Sequence, residues 1–161
     1  MKLAHDIYSE TNPAFCAYAL VGFTTAYTMI KGDGPELPAA YLALPVALSG
    51  DLSGTFGSTN KNTGLLEWLE RSPQVQVRLA ERVNASMEIV TNAIRFGCFA
   101  RILKIAEGAR LRLGDQKIKK KALTALGEES AQAIKRCERL GYWFAAVGST
   151  RVVFDIMGLT L

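Results

Sequence analysis

The sequence predicts a mainly α-helical domain with one β-hairpin, winged-helix-like in the order of its elements. Three observations point that way. Apolar residues recur at helical spacing over most of the chain, separated by capping residues and by glycine or proline breaks. Over residues 101–113 the period switches to two, around a Glu-Gly pair. Predicted helices over 65–71, 73–84 and 86–99, followed at once by that hairpin, repeat the order of a winged helix-turn-helix. The 161 residues, 49% hydrophobic and 21% charged, suit one domain whose core requires neither disulfides nor metals. That apolar content excludes a disordered chain, and the lack of any internal period excludes a repeat array. The expected parts are an N-terminal helical region (1–48), a flexible loop (49–64), a winged-helix-like region (65–121) and C-terminal helices (122–161).

Each element has a local cause. Asn12-Pro13 opens the first helix, asparagine as cap and proline where no backbone donor is needed, and the run ends at Gly32-Asp33-Gly34-Pro35. Pro38 can begin a second helix over the almost wholly apolar Leu37–Leu48, which Pro45 is expected to end or kink. Ser49–Gly64 is polar and rich in glycine and serine; it reads as a connector, and the absence of a GxxxxGK[ST] spacing excludes a P-loop. Thr63 can cap a helix Leu65–Arg71, and Ser72-Pro73 starts another through about Asn84, with Val75, Leu79 and Val83 as its apolar stripe. A third, capped by Ser86, turns Ile89, Val90, Ala93, Ile94 and Phe96 inward. In the hairpin, Leu103, Ile105, Leu111 and Leu113 share one face and Lys104, Arg110 and Arg112 the other, with Glu107-Gly108 as the turn. Gly114-Asp115 forms a second turn. From about Glu128 a long helix carries Ala131, Ile134, Cys137 and Leu140, then an aromatic run at Tyr142-Trp143-Phe144. Ser149 caps a last helix over Arg151–Met157, which Gly158 ends.

Charge is unevenly placed. Residues 1–75 hold 4 basic and 7 acidic side chains, whereas residues 76–161 hold 15 and 8. The excess concentrates in 101–121, where Arg101, Lys104, Arg110, Arg112, Lys117, Lys119, Lys120 and Lys121 are opposed only by Glu107 and Asp115. Such a strip suits phosphates or an acidic protein face, and its bland reading is a solvated surface. On the third helix the outward candidates Glu88, Thr91, Asn92 and Arg95 include one cation, a poor set for reading bases.

Nothing in the sequence spells a reaction. His5 is the one histidine, and beside Asp6 it has no nucleophile to serve. Cys16, Cys98 and Cys137 are scattered in apolar stretches and read as packed, reduced thiols, which suits the cytoplasm; no spacing suits zinc. Glu67 with Glu70, and Glu128 with Glu129, lack any partner that would make them a metal or acid–base pair. No catalytic residue, metal or cofactor is expected. The segment 14–30 is uncharged over 17 residues, the lower edge of membrane-spanning length, but its threonines and glycine favour a buried core helix and no membrane partner. The first ten residues are too polar for a signal peptide.

The ordered set Asn12-Pro13-Ala14, Leu37-Pro38 through Leu44-Pro45, Trp68-Leu69 with Pro73, Thr91 through Ala93-Ile94 and Phe96-Gly97, and Arg139-Leu140-Gly141-Tyr142-Trp143-Phe144-Ala145 through Gly148-Ser149 covers nearly the whole chain. In these residues it resembles the middle-component family of bacterial three-component ABC ATPase systems. That resemblance implies a noncatalytic adaptor subunit between an ABC ATPase subunit and an effector subunit, acting in bacterial conflict and anti-phage defence, much as winged-helix accessory subunits serve chromosome-organising ATPases. The expected protein interface comprises Leu37, Tyr41, Leu44, Tyr142, Trp143 and Phe154, with the 101–121 cations meeting nucleic acid or an acidic partner. The alternative is a stand-alone winged-helix DNA-binding regulator, acting alone or as a homodimer.

Overall fold

The computed structural model describes residues 12–161; His5 and Asp6 lie outside them. The first helix, α1 (Pro13–Lys31), begins where Asn12 Oδ1 accepts from the Ala14 and Phe15 amides, and stops at Gly32 in the left-handed conformation. It is long and apolar enough to cross a membrane by length and composition, and half of that span is buried inside the fold. α2 (Leu37–Leu48) continues past Pro45, so the proline does not end the helix. The missing proline donor removes one helical bond, and an almost continuous run of buried residues from Ala39 to Leu48 outweighs it.

The expected connector is structured. Residues Gly50–Phe56 form a 3-10 helix, and the chain beyond it is pinned by side chains from elsewhere. Trp68 Nε1 donates to the Thr55 carbonyl (3.2 Å), Trp143 Nε1 to the Asn60 carbonyl (2.9 Å), and Arg139 to Phe56 O and Thr59 Oγ1. Phe56 itself stacks on Trp143 (ring centroids 5.9 Å) and lies 4.9 Å from Trp68.

α3 (Leu65–Arg71) has the predicted bounds, but its N-cap is Gly64, and Thr63 Oγ1 accepts from the Asn60 amide rather than capping the helix. The helix expected over 73–84 is broken: a 3-10 turn (Pro73–Gln76) precedes α4 (Leu79–Ala85), because Arg78 adopts a left-handed φ of +55°. Val75 and Leu79 are nonetheless both buried, so the apolar stripe survives the break in the helix that was expected to carry it. α5 (Met87–Phe99) buries Val90, Ala93 and Ile94. The hairpin strands are β1 (Leu103–Ala106) and β2 (Arg110–Leu113). A short α6 (Lys120–Thr124) leads to α7 (Glu128–Val147) and α8 (Thr150–Met157), the last capped by Ser149 Oγ and closed by left-handed Gly158, as predicted.

The centre of the fold is α1, packed on α7 along one side and on α5 along another, with α2 also against α7. Small residues set the α1–α7 approach: a Cβ at Gly141 would lie 2.5 Å from the Phe23 carbonyl oxygen. Trp68, Trp143, Phe23 and Phe144 are the bulkiest fully buried side chains. This corrects three of the six expected interface residues. Trp143 has no exposed surface, and Leu44 and Phe154 are buried, because each closes the core rather than facing outward. Cys16 and Cys137 are buried too, and burial pushes the Cys137 thiol well above its ordinary range.

Candidate functional site

The period-two segment folds as expected, paired antiparallel with Leu103 opposite Leu113, Lys104 opposite Arg112, Ile105 opposite Leu111 and Ala106 opposite Arg110. Its turn has three residues, Glu107-Gly108-Ala109, rather than the two expected from the Glu-Gly pair. Both Gly108 and Ala109 have positive φ, and Ala109 is held there by its carbonyl, which accepts the Leu37 amide at 3.0 Å. The apolar face is only half covered: Leu103 and Leu111 are buried, while Ile105 and Leu113 are exposed.

A third segment lies along the hairpin. Between α1 and α2, the Leu111 amide donates to Pro35 O (2.8 Å), and Glu36 bridges antiparallel to Arg110. The approach requires Gly34, where a Cβ would meet the Leu111 carbonyl oxygen at 1.6 Å. The same segment brings Asp33 between the hairpin arginines. Arg112 donates to both Asp33 carboxylate oxygens (2.9 and 3.2 Å), Arg110 Nε stands 3.8 Å away, and Arg110 Nη1 donates to Gly34 O. The Arg112 hydrogen bond, with the Gly34 amide second, holds the Asp33 carboxyl below its ordinary range. Asp33 therefore favours the fold above that ordinary range, and the contribution disappears as pH falls through the depressed value. Without this carboxylate, Lys104 and Arg112 would face one another across the strands as unrelieved like charges.

The predicted strip of eight cations thus divides in two. Arg101 pairs with Asp115, and Arg110 and Arg112 serve Asp33. Lys104, Lys117, Lys119, Lys120 and Lys121 are exposed and make no ion pair among the described residues. On α5, Glu88, Asn92 and Arg95 are exposed, whereas Thr91 Oγ1 is bonded to the Tyr41 hydroxyl at 2.5 Å.

The remaining expected interface residues are half-buried. Leu37 lies against the core, Tyr41 is held by Thr91, and Tyr142 sits beneath the Lys61 ammonium and donates its hydroxyl to Met29 Sδ. The most exposed large apolar side chains are elsewhere: Phe99 at 89%, then Met29 at 68% and Val77 at 62%. Position at a helix end was the signal for Phe99 and Met29, since the last turn of a helix often overruns the core.

Tyr142 also borders a groove between α1 and α7, lined by Tyr18, Thr25 and Glu138, with Ile118 and Leu123 at its edge. Burial raises the Glu138 carboxyl above its ordinary range, against the partial opposition of Lys135 and Arg139. An unfolded chain ionises this group more readily, so stability falls as pH rises through the window above the ordinary glutamate value. Glu138→Gln is expected to raise Tm modestly at pH near 7, with the gain vanishing in acid, below the ordinary glutamate pKa of about 4.3. Melting curves across that range would show it, and an equal effect at both ends would refute it.

The family model for Middle Component 3 of the ABC-three component (ABC-3C) system matches residues 2–161. The chain belongs to that family. A search of curated proteins and one of solved structures found no match. As an ABC-3C middle component, the protein is one part of a three-component system, which implies partner components.

Proposed function

We propose that this ABC-3C middle component is a noncatalytic adaptor that bridges an ABC ATPase and an effector in a cytoplasmic bacterial anti-phage or conflict system. The carrying observation is the family match along nearly the whole length of the chain. The 101–121 cations supply a contact with an anionic partner, nucleic acid first among them.

A winged-helix-like arrangement belongs to this reading in altered form. Of the three helices read into the winged-helix-like order, 65–71 and 86–99 form, 73–84 is broken at Arg78, and the hairpin follows α5 directly. On the solvent side of α5, the exposed Glu88 and Phe99 favour a docking surface over a stand-alone base-reading regulator.

The test is co-expression with the ABC ATPase and the effector encoded beside it, followed by size-exclusion chromatography. The expected result is one peak containing all three chains. A monomer that elutes apart from both would overturn the adaptor reading.

A further inference from the structure

Within the 101–121 strip the structure separates the cations that hold the fold from those that do not, and four of the five in the second set fall in 117–121. Lys117, Lys119, Lys120 and Lys121 are all exposed, and their nearest carboxylate in sequence, Asp115, is already taken by Arg101. The segment is held at its start and near its middle. The Gln116 amide donates to Arg101 O (3.0 Å), and Ile118 packs against the core at the edge of the α1–α7 groove, with Leu123 beside it. The backbone passes from extended at Lys119 into α6 at Lys120, so consecutive lysines leave it in different directions.

We propose that Lys117, Lys119, Lys120 and Lys121 form a contact for the phosphate backbone of nucleic acid, and that the hairpin arginines do not. The inference deepens the adaptor reading and rests on it for its setting. Composition decides the class of partner. Protein interfaces have an apolar centre and are depleted in lysine, and a membrane-surface segment offers apolar residues to the lipid. Here the one apolar residue among the lysines, Ile118, packs against the core, so what these five residues offer to solvent is chiefly their exposed ammonium groups. Lysine, a hydrated point charge on a long stem, suits phosphates without reading bases. Arg110 and Arg112 would have to abandon Asp33 to do the same.

Fluorescence anisotropy of the full chain with a labelled random-sequence duplex, between about 50 and 200 mM salt, tests this. The parent chain is expected to bind with an affinity that falls steeply with salt. Replacing all four lysines by Ala should weaken binding on the order of a hundredfold at the low end, with a salt slope shallower by about 0.9 for each phosphate no longer neutralised. Replacing them by Arg should keep it, and Arg112→Gln should leave it within about twofold of the parent on the same counterion-release argument. The four side chains are solvent-exposed, and an unchanged melting curve confirms that the variant is folded. Unaltered duplex binding by the Ala variant, or no duplex binding by the parent, overturns the proposal, as does binding to vesicles of anionic lipid without binding to the duplex. The Ala variant should still co-elute with the ATPase and effector. Loss of that co-elution with duplex binding intact would mark an acidic protein partner and overturn the proposal while the adaptor reading stands.

Discussion

Trp143→Ala is expected to cost about 4 kcal/mol of folding stability, among the largest effects a single truncation produces. The indole has no exposed surface, stacks on Phe56 with planes 5° apart, and lies 5.2 Å from Trp68. Removing it opens a void beside the Phe56 and Trp68 rings and takes from the Asn60 carbonyl one of its two donors, the Thr63 amide remaining. Against a total of about 5–15 kcal/mol, that is a large fraction, and for a chain of this size Tm should fall on the order of 10 °C. Thermal unfolding followed by circular dichroism measures it. A shift equivalent to less than about 1 kcal/mol would mean that the ring is dispensable to the core. The outcome also distinguishes two roles, since an anchor for a partner would cost the complex and spare the isolated subunit.

Gly34→Ala is expected to destabilise by about 3 kcal/mol, at the upper end for an added methyl. The reason is that the obstacle is backbone: the new Cβ would overlap the Leu111 carbonyl oxygen, which cannot swing aside as a side chain can. The 33–37 segment has to lift from β2, and with it go the Leu111–Pro35 and Leu37–Ala109 hydrogen bonds and the Asp33–Arg112 pair. Two measurements report it. Chemical denaturation gives the change in free energy, and hydrogen exchange at the Leu111 amide gives the local opening, which should accelerate far more than exchange in α7. Retained protection at Leu111 would show that the hairpin is held by other interactions.

The parts of the fold written by neighbouring residues were legible in the sequence. Asn12, Ser149 and Gly158 cap their helices through bonds spanning two to four positions, and the alternation over 103–113 gave the hairpin its faces, while the Glu-Gly pair put its register off by one residue. What failed depended on distant partners. The 49–64 segment looked unstructured because its order comes from Trp68, Arg139 and Trp143; the lone Phe56 in that polar run was the available clue. Leu44, Trp143 and Phe154 were expected at an interface because an apolar side chain is equally suited to a core and to a partner, and only burial separates the two. The strip of cations was legible as composition, but its division was not, since Asp33 stands 79 positions from Arg112.

The placement of α1 has a consequence for synthesis. Its main partner, α7, begins roughly a hundred residues after α1 ends, so at about 5–20 residues per second the ribosome presents this apolar helix for several seconds before its principal cover in the same chain is made. Local segments such as the hairpin can form during that wait, while closure of the long loop comes last and sets the folding rate. The nascent polypeptide is therefore expected to depend on chaperone cover until α7 emerges, and to aggregate most when elongation is slow or the chain is truncated before α7.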